Sequence, residues 1–429
     1  MARELLPAPA GLHGELTIPG DKSISHRAVM LGSLAYGQTT IDHFLAGQDC
    51  LSTIKAFQQM GVAINQTGDQ VVIAGHGIDA LRAPANPLDM GNSGTTTRLL
   101  MGILAGRPFS SQMVGDQSLQ KRPMARVSEP LKDFGGQVEL SSRNTLPAKI
   151  IGHHLHHADV VMKVASAQVK SALIFAALQA DQPSTIQEVL PTRNHTEIML
   201  NQFGADISTS GLSIRVTPHP YLRGQKVEVP GDMSSAAFFL VAGAIVPHSR
   251  LTLKHVNLNP TRTGIVKVLQ QMGAKLTIEH LPSSGEPLSN LTIASSQLSP
   301  IKIGAAEIPA LIDELPLVAL LAACADGQSK ITGAQELRVK ETDRIKTVVQ
   351  ELRKLGVAVK ELPDGMIING QPQWQVKDSR LTSYGDHRIG MMDAIAGLKA
   401  KSGLTLSGAD AISVSYPGFF NDLQQLMGG

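Results

Sequence analysis

The chain nearly repeats itself halfway along, and that limits what it can fold into. Leu12-His13-Gly14 runs into Ile18-Pro19-Gly20-Asp21, and Leu222-Arg223-Gly224 runs into Val229-Pro230-Gly231-Asp232. Asp21 and Asp232 stand 211 residues apart, close to half of 429. Each half subdivides again. A helix-like run ending on Gly recurs at 54–61, 127–135, 196–204, 265–273, 345–356 and 420–428. A fixed period of this kind marks a repeat architecture, and Gly just past an amphipathic run is a helix C-terminal signal. Two halves of three units imply two similar lobes. The two Pro-Gly-Asp sequences are the crossovers between them, and a cleft is expected where two lobes meet.

A second element keeps step with the first. Apolar runs at 21–35, 92–105, 166–178, 232–244, 313–325 and 386–396 each open on Asp, Asn or Ser, a helix N-cap pattern. They lack the polar stripe of a surface helix, so they are expected inside the lobes. Strands are expected at 70–74, 160–164, 226–229, 251–254 and 365–368, where β-branched residues sit between turn residues. The reading is an α/β repeat protein. Residues 1–20 with 232–429 form one lobe and 21–231 the other, with crossovers near 19–21 and 230–232.

Composition narrows the function classes. The longest apolar stretch, 315–324, is too short to span a bilayer. No charged start with an apolar core and cleavage site appears, so the cytoplasm is the expected location. Cys50 and Cys324 offer neither a disulfide framework nor a metal cluster. His153, His154, His156 and His157 crowd one polar loop without a second ligand group, so no metal is expected. A net charge of +2 does not make the molecule a magnet for nucleic acid.

The placement of the cations says more than their number. Lys22 and Arg27 open the first inner helix, Arg98 lies in the second, and Lys121 and Arg122 follow a Gly-Asp turn. Lys170 lies on the third inner helix, Arg193 just before an outer helix, Lys340 and Arg344 before another, and Arg388 at the start of the last inner helix. Basic side chains at a helix N-terminus oppose the helix dipole unless an anion binds there. Solvated surface charge would account for any one of them. It accounts poorly for a set at matching points of a repeat.

At these segments the sequence resembles a known family. Pro19-Gly20-Asp21-Lys22-Ser23-Ile24-Ser25-His26-Arg27-Ala28, Gly91-Asn92-Ser93-Gly94-Thr95-Thr96-Thr97-Arg98-Leu99 and Arg338-Val339-Lys340-Glu341-Thr342-Asp343-Arg344-Ile345 are similar to the signature segments of 5-enolpyruvylshikimate-3-phosphate synthases. Gly115-Asp116-Gln117-Ser118-Leu119 through Arg122-Pro123-Met124, Ser166-Ala167-Gln168-Val169-Lys170-Ser171 and Asp386-His387-Arg388 fit as well. The motifs run in order from about Leu12 to Phe420. The resemblance implies two lobes of three βαβαββ units each, an inside-out α/β barrel with a central cleft. It implies transfer of the enolpyruvyl group of phosphoenolpyruvate to the 5-hydroxyl of shikimate 3-phosphate, with release of phosphate and no cofactor, by a cytoplasmic monomer.

The resemblance also assigns residues. Lys22, Ser23, Arg27, Ser166, Ala167, Gln168, Arg193, Asp313 and Lys340 fall on the shikimate 3-phosphate side. Lys22, Gly94, Arg122, Gln168, Arg344 and Arg388 fall on the phosphoenolpyruvate side. Two phosphates and two carboxylates must be desolvated together, which needs paired cations and helix N-termini. Asp313, Glu341 and Lys22 are the expected proton-transfer groups. Asp313 alone also reads as a helix N-cap, and Glu341 as a solvated charge. Leu99, Val414 and Ala167 depart from one branch of the family and resemble a second, bacterial class. Enolpyruvyl transfer to a UDP-sugar fits less well: Ser23 follows the first Lys, and 115–122 holds no Cys. A ring-shaped DNA clamp would spread its cations rather than cluster them beside Asp313 and Glu341.

Overall fold

The structure is a computed structural model that describes residues 2–283 and 285–428. The chain divides into two compact units, Met1–Pro19 with Pro230–Gly429 (unit 1) and Gly20–Val229 (unit 2). Each has its own continuous apolar core. The polypeptide passes between units at Pro19–Gly20 and Val229–Pro230.

Among the described residues the strands form six small sheets, three per unit. In unit 2, one sheet places Lys226–Glu228 parallel to Tyr36–Asp42, followed by Gln70–His76 and Ala63–Thr67 in antiparallel register. Leu88–Asp89, Ser110–Val114, Ala148–Ile151 and Gln137–Leu140 repeat that order. So do Asp159–Val161, Ser184–Gln187, Ser213–Val216 and Ile207–Ser210. Unit 1 repeats it around His13–Thr17 and Arg250–Asn257, and again around Lys302–Ile303 and Gly327–Ile331. Its third sheet has three strands: Arg380–Thr382 runs parallel to Leu404–Ser407, and the N-terminal Ala2–Leu5 completes it. The strands that lead into the helices Lys22–Leu34 and Met233–Ile245 are exchanged. His13–Thr17 joins a sheet of unit 1, and Lys226–Glu228 a sheet of unit 2.

The six inner helices are Lys22–Leu34, Gly94–Ala105, Ala167–Ala177, Met233–Ile245, Leu315–Cys324 and His387–Lys399, and almost every residue in them is buried. Side chains of Asp21, Ser93, Ser166, Asp232 and Asp386 cap five of them by accepting a backbone N–H. Two of the expected openings shift. The second helix is capped by Ser93 rather than Asn92. The fifth starts at Leu315, so Asp313 lies in the turn before it, with Glu314 between them. The expected strand 160–164 stops at Val161, because the chain bends at 163–164 toward the Ser166 cap.

The outer helices end as their glycines require. Gly61, Gly135, Gly204, Gly273 and Gly356 all hold positive φ, a backbone state that a Cβ disfavours. Gly428 closes the last helix at φ −102 instead. Another glycine sets the packing of two inner helices. A Cβ on Gly102 would lie 1.9 Å from the Ala172 carbonyl oxygen. Gly94–Ala105 and Ala167–Ala177 thus approach backbone to backbone, and this brings their N-terminal ends together.

Candidate functional site

In unit 2 those helix ends carry the predicted residues. Gly94 and Ala167 are the first helical residues after the Ser93 and Ser166 caps, so their amides belong to the unpaired first turn that favours anions. Arg98 Nη1 donates to Gln168 Oε1 at 2.5 Å, and Gln168 Nε2 donates to Thr95 Oγ1 at 2.9 Å. Arg98 Nη2 also donates to the Pro123 carbonyl at 3.1 Å, tying in the loop that carries Arg122. Arg122 follows the 3₁₀ turn Leu119–Lys121 and bonds twice to Asn92, to its carbonyl at 3.3 Å and its side-chain oxygen at 2.5 Å. Asn92 is fixed in turn by donating to Asp116 Oδ2 at 2.7 Å. The Cβ position of Gly94 lies 3.3 Å from Arg122 Nη1 and 3.5 Å from Arg98 Nη1. Gly94, Arg122 and Gln168 are therefore neighbours, with Arg98, Asn92 and Thr95 holding them.

Lys22 pairs with Asp49 at 3.2 Å, both side chains partly reachable by solvent. Arg27 is buried and bound inside the unit, donating to Thr196 Oγ1 at 2.6 Å, Ser171 Oγ at 2.8 Å and the Ser23 carbonyl at 2.9 Å. The Ser23 bond reaches back one helical turn, from Arg27 to the carbonyl four residues earlier. Lys170 is a correction. It is buried and paired with Glu188 at 3.2 Å and Glu197 at 2.7 Å, so it is a structural ion triad rather than an anion-facing cation. Burial lifts the Glu188 carboxyl above its ordinary pKa while Lys170 pulls it down. Glu188 also accepts the Thr192 N–H at 3.1 Å, which ties down the loop bearing Arg193.

Unit 1 assembles the other predicted residues around Arg344. Its guanidinium donates to Asp386 at 2.8 and 3.1 Å and to Glu341 at 2.6 Å, and it lies 3.7 Å from Asp313. Arg388 approaches Asp313 from another side, 3.8 Å from the carboxylate and bonded to its backbone carbonyl at 3.2 Å. Burial opposes the Arg344 charge, yet Asp386, Glu341 and Asp313 hold its pKa above the usual value. Burial also works against an ionised Asp386, but Arg344 and His387 keep that carboxyl below its usual value. The exposures separate the three acids. Asp386 is 0% and Arg344 1% exposed, while Asp313 retains 15% and Glu341 20%. Lys340 follows the 3₁₀ turn Gln335–Val339 and is half-buried.

Some supporting residues escaped the sequence reading. Asp386 was visible as a cap, but its grip on Arg344, 42 residues away in the chain, was not. Asn92 stood in a motif yet was not singled out, and its pairing with Arg122 depends on a loop 30 residues on. Among the described residues no group of three His, Cys, Asp or Glu side chains is arranged to hold a metal ion, and no helix is long and apolar enough to cross a membrane.

The family model for EPSP synthase (3-phosphoshikimate 1-carboxyvinyltransferase) matches residues 6–423. The chain belongs to the EPSP synthase family. It is 58% identical over 420 residues to the 3-phosphoshikimate 1-carboxyvinyltransferase of Limosilactobacillus fermentum, covering 97% of each chain. The enzyme of that name from Lactiplantibacillus plantarum is 53% identical over the full length of both. The solved EPSP synthase of Acinetobacter baumannii superposes with a TM-score of 0.87 at 40% identity, over 99% of this chain and 98% of that one. The enolpyruvyl transferase NikO of Streptomyces tendae shares the fold at a TM-score of 0.77 and 15% identity, covering 99% and 96%. The two-unit α/β repeat is thus the fold of the EPSP synthase family.

Proposed function

We propose that the cations and helix ends of the site bind the substrate anions, while Asp313, Glu341 and Lys22 move protons. The chain transfers the enolpyruvyl group of phosphoenolpyruvate to the 5-hydroxyl of shikimate 3-phosphate and releases phosphate. In the addition step the hydroxyl oxygen bonds to the central carbon of phosphoenolpyruvate and loses its proton, while the methylene gains one and becomes a methyl. In the elimination step the carbon–oxygen bond to phosphate breaks and the methyl gives up a proton. Both steps need a proton-transfer group that substrate can reach.

The observation that carries this division is the difference in exposure around Arg344. Asp386 is sealed in and anchors the arginine, whereas the side chains of Asp313 and Glu341 stay partly solvent-exposed beside the same cation. Asp313 and Glu341, with Lys22, are our proton-transfer groups. Lys22, Ser23, Arg27, Ser166, Ala167, Gln168, Arg193, Asp313 and Lys340 serve shikimate 3-phosphate. Lys22, Gly94, Arg122, Gln168, Arg344 and Arg388 serve phosphoenolpyruvate. The buried, fully engaged Arg27 contributes by fixing Ser23 and its helix end. We further propose a cytoplasmic monomer; light scattering should return the mass of a single chain.

Phosphate release tests the reading. The purified chain with phosphoenolpyruvate should turn over with shikimate 3-phosphate in a chelator, and not with UDP-N-acetylglucosamine. Turnover only with the nucleotide sugar, or loss in chelator that zinc restores, would overturn it.

A further inference from the structure

His26 lies inside the first motif between Ser25 and Arg27, yet it is completely buried. Its Nδ1 is 2.7 Å from Thr53 Oγ1 on the helix Gln48–Gln59. Thr53 Oγ1 is 2.7 Å from Thr96 Oγ1, and Thr96 Oγ1 is 2.6 Å from Ser93 Oγ. Ser93 Oγ in turn accepts the Thr96 N–H and caps the helix that begins at Gly94. All four side chains are buried. A helical Thr or Ser usually spends its hydroxyl on its own carbonyl one turn back. Here Thr53 and Thr96 spend theirs on each other, so the chain of bonds ties together three helices.

The protonation state follows from the surroundings. Burial disfavours an imidazolium, and Lys22 and Arg27 disfavour it further, so His26 is neutral. No partner meets Nε2. A proton on Nδ1 therefore leaves only a lone pair unpaired, and it points the donor at Thr53. Each hydroxyl has a single hydrogen. With His26 donating, Thr53 can donate to Thr96, and Thr96 to Ser93 or to the Asp49 carbonyl 3.5 Å away.

We propose that His26 is a positioning residue: through Thr53 and Thr96 it fixes the Ser93 cap, and with it the Gly94 amide, where Arg98 and Arg122 close on that residue. The proposal rests on the assignment of Gly94 and Arg122 to phosphoenolpyruvate. It makes His26 selective in effect, because the relay ends at Gly94 and not at the Arg27–Ser171–Thr196 group.

Steady-state kinetics on the full chain test it. His26→Leu should raise the phosphoenolpyruvate KM roughly tenfold, the size of one lost buried hydrogen bond, and leave the shikimate 3-phosphate KM within about twofold. His26→Asn, which restores a donor near the Nδ1 position, should recover most of the loss. Equal rises in both KM values, an unchanged phosphoenolpyruvate KM, or no rescue by Asn would overturn the proposal. If His26→Leu does not fold, Thr53→Val against Thr53→Ser carries the same comparison, the serine keeping the hydroxyl. Arg122→Lys separates the underlying assignment. If it leaves the phosphoenolpyruvate KM at the parent value, the assignment fails and the proposal with it. If it raises that KM while the relay variants do not, the proposal alone is overturned.

Discussion

Arg122 in unit 2 and Arg344 in unit 1 are both buried arginines beside a helix start, but they are held by different chemistry. Arg122 is gripped by the carbonyl and amide oxygens of Asn92. Arg344 is gripped by Asp386 and Glu341, with Asp313 close by. Neutral acceptors orient a guanidinium, and a guanidinium held in a fixed orientation suits an incoming anion. A ring of carboxylates compensates the charge, and its partner becomes the carboxylates' organiser. The same residue type is thus oriented by neutral oxygens in one unit, while in the other it also organises a group of acids.

The largest expected effect separates these two roles directly. Arg344→Met leaves buried Asp386 without its cation, and breaking such a pair costs about 3–5 kcal/mol. Thermal unfolding should show a large drop in Tm at neutral pH. The sign of its pH dependence follows from Asp386, whose folded pKa is depressed in the parent. The pair's stabilisation is present above the ordinary carboxylate range and disappears as pH falls through the folded pKa, so parent and variant should converge in acid. Arg122→Ala should leave Tm within a few degrees and raise the phosphoenolpyruvate KM roughly tenfold or more. A large Tm loss in Arg122→Ala alone would break the comparison.

A smaller effect sharpens the unit 2 side. Gly94→Ala places a methyl 3.3 Å from Arg122 Nη1, so the guanidinium must shift by a few tenths of an ångström. Overpacking a tight site costs about 1–3 kcal/mol. The phosphoenolpyruvate KM should therefore rise roughly tenfold, with the shikimate 3-phosphate KM within about twofold. An unchanged phosphoenolpyruvate KM would show that Gly94 does not face that substrate.

The smallest effect lies in unit 1. Asp393 is buried, both its carboxylate oxygens lack a hydrogen-bond partner, and burial with nearby Glu351 pushes its pKa well above normal. An acid whose folded pKa is raised loses stability as pH climbs above the unfolded value. Asp393→Asn should therefore raise Tm at neutral pH, with the gain vanishing in acid. A Tm gain of equal size at both pH values would show that Asp393 is not the titrating group.

Much of this arrangement was legible because its causes are local. The outer-helix glycines and the Asp21, Ser166, Asp232 and Asp386 caps act within a few residues of themselves, so pattern reveals them. Failures came where a partner lies far off in sequence. Lys170 reads as an exposed cation until Glu188 and Glu197 arrive from later elements. Asp313 was picked out as a site residue by resemblance and, taken alone, as a cap; the turn that sets it beside Arg344 and Arg388 is seen only in the fold. The Pro-Gly-Asp crossovers assign His13–Thr17 and Lys226–Glu228 to their lobes, but their strand partners were hidden, since pairing across more than 180 residues leaves no local trace.

Asp313→Asn tests the division between binding and proton transfer most directly, because it keeps the side chain's size and removes its basicity. Shikimate 3-phosphate affinity by calorimetry and kcat by phosphate release should be measured on the same preparation. kcat should fall by roughly 10²-fold or more, with the dissociation constant within a few fold of the parent. Near-normal kcat with lost affinity would contradict that division and make Asp313 a binding group alone.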